Sequence, residues 1–209
     1  MKTIRAATLA AITLIGFTRP SARAADTGCG FHFPVGIAYS RGIQDATDKL
    51  FDFYEAAGYD VTKVNIPVGL VLNPYYDWST PAGAVGLGIS VGPTAMDLVD
   101  EKPSGGGDHL KFSYVVPAGA FVRYAPWSTA TVPPYVRAGY KYPFAGGSNF
   151  EAAQGGFFSA VGLEFWRTKA VGMSLEVGYD TSKLRVKYPS LPSKDVNCPG
   201  LTVALSLVF

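Results

Sequence analysis

The sequence predicts an all-β chain: an eight-stranded antiparallel up-and-down transmembrane β-barrel with a short helix in its first long loop. Three observations carry that expectation. Residues 201–209 alternate large apolar with small or polar side chains and finish on Phe209, which puts Leu201, Val203, Leu205, Leu207 and Phe209 on one face of a strand and Thr202, Ala204 and Ser206 on the other. Mean hydropathy is positive, +0.16, with only 16% charged residues, against about 25% in soluble domains. Yet no segment approaches the roughly 20 continuous apolar residues of a membrane helix. Hydrophobic residues spread over every second position of many strands reconcile the two.

Taken from the N-terminus, residues 1–24 read as a cleaved secretory signal, with Lys2 and Arg5 ahead of an apolar stretch over 6–17 and then Ala22-Arg23-Ala24. Cys29 follows Asp26-Thr27-Gly28 rather than a lipidation motif, so residues 25–209 are expected to form the barrel domain, and lipidation is not expected. Strands are expected at 33–40, 64–78, 84–99, 110–124, 134–142, 155–167, 171–187 and 200–209. The connections alternate between short (79–83, 125–133, 168–170) and long (41–63, 100–109, 143–154, 188–199). Short periplasmic turns and long outer loops give that rhythm, and it leaves both termini periplasmic.

The first long connection holds Ala46, Leu50, Phe53, Tyr54 and Ala57 at helical spacing, which predicts a helix over 45–57 capped by Asp45 and ended by Gly58. So short a helix is marginal in water, and its apolar stripe must pack on something. The barrel rim is the expected surface, with a ligand lid or partner groove as the alternative.

Aromatic residues gather beside the short turns: Tyr75, Tyr76 and Trp78, then Tyr124 and Trp127, then Phe165 and Trp166, and lastly Phe209. Amphipathic rings favour a membrane interface, so this set reads as the periplasmic girdle. If Val85, Leu87, Ile89 and Val91 face lipid, then Gly86, Gly88, Ser90 and Gly92 face inward. The same alternation turns Arg123, Arg137, Lys141, Glu164, Glu176 and Asp180 inward. The opposite phase would put charge in lipid at roughly 2–4 kcal/mol per Arg or Lys. Three bases and three acids in a narrow interior are expected to pair, and eight strands enclose just enough space for side chains to fill.

Other chemistries find little support. A net charge of +2 argues against a nucleic-acid partner. No cofactor is expected, since the chain has neither a Cys and His cluster for zinc nor an acidic loop with calcium spacing. Gly105-Gly106-Gly107 lacks the lysine and helix of a phosphate cradle and reads as a flexible loop. Cys29 and Cys198 are expected at opposite ends of the barrel as independent thiols, with a disulfide left open. His32 precedes the first strand with no convincing triad, and Asp108-His109 lies on an outer loop near Ser104 and Ser113, where acyl transfer is compositionally possible but unspecific. The chain is therefore not expected to be an enzyme.

On these marks, together with the glycine-rich segments Tyr135-Val-Arg-Ala-Gly-Tyr140 and Val161-Gly-Leu-Glu-Phe165, the whole mature chain resembles the small outer-membrane β-barrels of Gram-negative bacteria, the group similar to opacity proteins and the membrane domain of outer-membrane protein A. That resemblance implies an outer-membrane location, contact with outer-membrane lipid and lipopolysaccharide, and recognition of Phe209 by the barrel assembly machinery. It implies architecture rather than activity. The leading expectation is a scaffold with a salt-bridged lumen and exposed loops, with Tyr54, Tyr59 and the tip at 144–150 as contact candidates. A narrow channel or small-molecule binder, in which Arg123, Arg137 and Lys141 attract anions, comes second, and a lipid-modifying enzyme third.

Overall fold

A computed structural model describes residues 30–56, 58, 60–61, 64–65, 68–92, 95–102, 109–147, 149–166, 171–187, 193–197 and 200–209. The expected signal peptide, Cys29, Tyr59, Ser104, the 105–107 glycines, Asp108 and Cys198 lie outside the described residues.

Eight barrel strands form, several of them interrupted. The first is β1 (Gly30–His32) with β2 (Pro34–Ser40), followed by helix α1 (Arg41–Ala56). The second runs through β3 (Asp60–Val61), β4 (Val64–Asn65), β5 (Val68–Leu72) and β6 (Tyr75–Thr80), and the third joins β7 (Gly83–Val91) to β8 (Ala95–Lys102). Then come β9 (His109–Ala125), β10 (Pro134–Gly147), β11 (Phe150–Gln154) with β12 (Gly156–Phe165), β13 (Gly172–Asp180) with β14 (Lys183–Val186), and β15 (Lys194–Asn197) with β16 (Leu201–Val208). Each neighbour pairs antiparallel, and β16 returns to β2 while β7 bonds to both β6 and β9, which closes the wall. The result is a closed eight-stranded antiparallel barrel.

Alternation along the strands separates two surfaces. Leu87, Ile89, Val122, Val136, Val161, Leu175 and Val177 are exposed on the outside, while Ala38, Ala84, Ser90, Phe121, Phe158, Ala160, Ser174 and Ala204 are buried inside. At the tight β6–β7 turn Gly83 takes a φ of 125°. An added Cβ there would sit 2.4 Å from the Ala125 carbonyl oxygen, so no other residue fits.

Two expected long loops contain strand. β10 continues to Gly147 and β11 begins at Phe150, so the 143–154 connection shrinks to a tight reversal, and β15 occupies part of 188–199. The reason lies inside the barrel. Phe150, Leu184 and Val186 are almost fully buried in one cluster with Val115 and with Ile43, Leu50, Phe51 and Tyr54 of α1. With an apolar helix to cover, the strands gain by pairing beyond the point where water would otherwise fill the mouth.

The helix thus lies across the mouth of the barrel. It begins at Arg41, directly after Ser40, so Asp45 is an interior position whose carboxylate sits 4.0 Å from Arg41 instead of an N-cap. Gly58 does end it, with a φ of 84° and its N–H donating to the Glu55 carbonyl at 3.0 Å. Tyr54 and Phe150, expected as exposed contact residues, are each about 1% exposed. Tyr54 instead donates to Asn149 Oδ1 at 3.0 Å, and the Asn149 N–H donates to Ser113 Oγ at 3.0 Å, which fastens the helix to β9 and the β10–β11 reversal.

Candidate functional site

The interior charges come from strands whose inward phase is fixed by apolar partners outside. Arg123 lies between exposed Val122 and Tyr124, Arg137 follows exposed Val136, and Glu176 lies between Leu175 and Val177. Arg123, Arg137, Glu164 and Glu176 are all at least nine-tenths buried. With Lys141 and Asp180 they stack in three layers.

The layer nearest the short turns centres on Arg123. Its Nη2 lies 2.6 Å from Glu164 Oε1 and its Nη1 4.0 Å from Asp77 Oδ2. The guanidinium is held between two rings, 4.8 Å from the Tyr75 centroid and 4.4 Å from that of Tyr135. Both phenols serve the acids, with Tyr75 Oη donating to Glu164 at 2.9 Å and Tyr135 Oη to Glu176 at 3.2 Å. Each ring thus stabilises the cation through its face and an anion through its hydroxyl. The space for Tyr135 comes from Gly162, where an added Cβ would lie 2.4 Å from the ring.

In the middle layer Arg137 pairs with Glu176, and its guanidinium lies 4.9 Å from the Phe121 centroid and 5.4 Å from that of Phe158. In the outermost layer Lys141 Nζ sits 4.1 Å from the Phe158 centroid and 4.0 Å from Asp180 Oδ2, while Asp180 Oδ1 accepts the Ser182 N–H at 2.8 Å.

Three sequence expectations need correction. Tyr75 is not part of an outer aromatic girdle, because it shares the phase of Asp77 and is 4% exposed inside the barrel. His32 belongs to β1 rather than preceding the first strand, with its ring stacked on Tyr75 at 4.7 Å and Nε2 3.1 Å from Asp77 Oδ1. His109 lies on β9 opposite Glu101 instead of in a loop, and its side chain is outside the described residues. The remaining girdle positions, Tyr76, Trp78, Tyr124, Trp127 and Trp166, are exposed on the outside near the short turns, as is Phe209. Sequence reasoning left Asp77 and Tyr135 out of the interior set and found no partner for His32. Asp77 stood between outward Tyr76 and Trp78, so the alternation applied to the other charges would have found it.

Two small spaces interrupt this packing. One of about 20 Å³ lies among Asn73, Arg123, Tyr135 and Ser174, and one of about 60 Å³ lies between the Arg137 and Lys141 layers and Ile43 of α1. The smaller has room for about one water and the larger for a few.

This architecture is shared with the crystal structure of the outer membrane protein OprG from Pseudomonas aeruginosa. The TM-score is 0.54 at 14% identity, over 87% of this chain and 94% of OprG. The fold is that of a small outer-membrane β-barrel. A solution structure of the Escherichia coli outer membrane protein W also aligns with this barrel, over 87% of this chain and 97% of that one, at 15% identity and a TM-score of 0.46. No protein-family description and no curated protein sequence matches the chain.

Proposed function

We propose that this barrel sits in the outer membrane of a Gram-negative bacterium, with its short-turn end on the periplasmic side, as a plugged scaffold that meets its surroundings through the helix end. One observation carries the membrane reading: polarity inverts along the seventh strand. Over β13 the outward residues are Met173, Leu175, Val177 and Tyr179, and the inward ones include Ser174, Glu176 and Asp180. Over β14 the outward residues are Lys183 and Arg185, and the inward ones are the fully buried Leu184 and Val186. Only a surrounding that is apolar at one height and aqueous at the next favours both halves.

The dimensions agree. Exposed Tyr124 and Tyr114 lie ten residues apart on β9, which at about 3.4 Å per residue and a tilt of about 40° spans roughly 25 Å, the height of an outer-membrane apolar band. Contact with outer-membrane lipid and lipopolysaccharide follows from that placement. The plug reading rests on the three charge layers and on α1 across the mouth. No catalytic role is assigned to this interior, whose acids and bases are engaged with one another.

Depth-dependent quenching tests the membrane placement. With the barrel refolded in vesicles of brominated lipids, Trp78, Trp127 and Trp166 should be quenched most by bromines near the headgroups. Equal quenching by aqueous acrylamide and no response to lipid bromines would overturn it.

A further inference from the structure

We infer that the chamber beneath α1 is a binding site for a small carboxylate or similar monovalent oxyanion, held between Lys141 and Arg137. The argument is one of hydrogen-bond balance. Lys141 carries three N–H donors, yet its nearest carboxylate oxygen is 4.0 Å away, beyond hydrogen-bond reach, and among the described residues it makes no hydrogen bond. Phe158, 4.1 Å from Nζ, satisfies the charge without accepting those protons. Arg137 also lines the chamber, is about 6% exposed, and its Nε has no hydrogen-bond partner although one of its Nη groups is paired with Glu176. The buried hydroxyls of Ser40 and Ser90 add two further donors on the opposite wall.

The acids do not answer this surplus. Glu176 accepts from Arg137 and from Tyr135, and one oxygen of Asp180 accepts from the Ser182 backbone. What the site lacks is a compact acceptor that bridges Lys141 and Arg137 Nε. A charged donor bonds an anionic acceptor about twice as strongly as a neutral one. The chamber of about 60 Å³ limits the size. A group of about three to five heavy atoms fits where a few waters would. Ile43 of α1 forms the wall on the helix side and the Arg137 layer the floor, so a ligand enters beside α1 rather than through the barrel.

Asp180 is the built-in competitor. Its free oxygen faces the same ammonium, so neutralising it should tighten the site, whereas neutralising Lys141 should abolish it. Formate is the probe, exchanged for gluconate at constant ionic strength because gluconate is too large to enter. Binding is read from the thermal midpoint of the refolded barrel in micelles and from the ¹⁵N resonance of Lys141 Nζ.

The wild type should saturate, Lys141→Gln should weaken formate by about tenfold or more, and Asp180→Asn should strengthen it several-fold. Lys187→Gln, on the outer wall, should leave it unchanged. No saturable response, or binding indifferent to both interior variants, would overturn the site. If Lys141→Gln does not refold, Asp180→Asn decides alone, and unchanged affinity there overturns it. Formate entering from the helix end requires no through passage, so this result is independent of whether the barrel conducts.

Discussion

Arg123 and Arg137 stand directly opposite each other on β9 and β10, and both are buried. Like charges in that register repel. They are tolerated because each draws a carboxylate from two strands along the wall, Glu164 from β12 for Arg123 and Glu176 from β13 for Arg137. Removing Glu164 leaves Arg123 facing Arg137 with Asp77, 4.0 Å away, as its remaining carboxylate, so Glu164→Gln should lower unfolding free energy in micelles by about 3–5 kcal/mol. The double variant Arg123→Met with Glu164→Leu should lose less than that single one. A loss in the double variant equal to the sum of the Glu164→Gln and Arg123→Met losses would show that the pair is not coupled.

The rings around Arg123 depend on a missing side chain. Gly162→Ala would place a Cβ 2.4 Å from a Tyr135 ring that is gripped by Arg123 on its face and Glu176 at its hydroxyl. The ring has nowhere to go, and the expected loss is about 1–3 kcal/mol by urea titration. Ala138→Gly, on the outer wall of a neighbouring strand, should change stability by less than the interior substitution.

Leu50 of α1 is fully buried among Val115, Phe150, Leu184 and Val186. Leu50→Ala should lower the stability of the folded barrel by about 2–5 kcal/mol. In hydrogen exchange the loss should show first at α1 and β14. A helix resting loosely on the rim would give a much smaller effect.

Above the apolar band, Arg185 Nε donates to Asp195 Oδ1 at 2.6 Å. This hydrogen bond, joined by attraction to the Arg185 charge, holds the Asp195 carboxyl below the usual carboxylate range. A depressed value means that the pair favours the folded state above the ordinary carboxylate pKa, and that this contribution fades as pH falls through the lowered one. A ¹³C titration should find the Asp195 midpoint below that of a free aspartate, and Arg185→Gln should bring it back up. Both groups are water-exposed, so the thermal midpoint should move little.

Period-two alternation made the wall and the inward set of charges legible in the sequence, because a single phase error would have put Arg123 or Glu176 in lipid. Tyr75 was misread where that logic was set aside, since three aromatics within four residues look like an interfacial belt whichever way each points. The 143–154 segment looked like a loop because Pro143, Gly146, Gly147 and Asn149 are turn formers. What keeps it paired is the helix beneath, a tertiary effect outside its own pattern. Partner choice was not legible either. Which acid meets Arg123 depends on the stagger of strands around the barrel, and the 40 positions between Arg123 and Glu164 do not encode it locally.

The central claim is a barrel closed by its own interior, and single-channel recording in planar bilayers tests it most directly. The folded, heat-modifiable wild type should give no discrete current steps, because Arg137, Glu176, Phe121 and Phe158 fill the middle layer and α1 covers the mouth. Stable, ion-selective steps from the wild type would contradict the account and make the interior charges a filter.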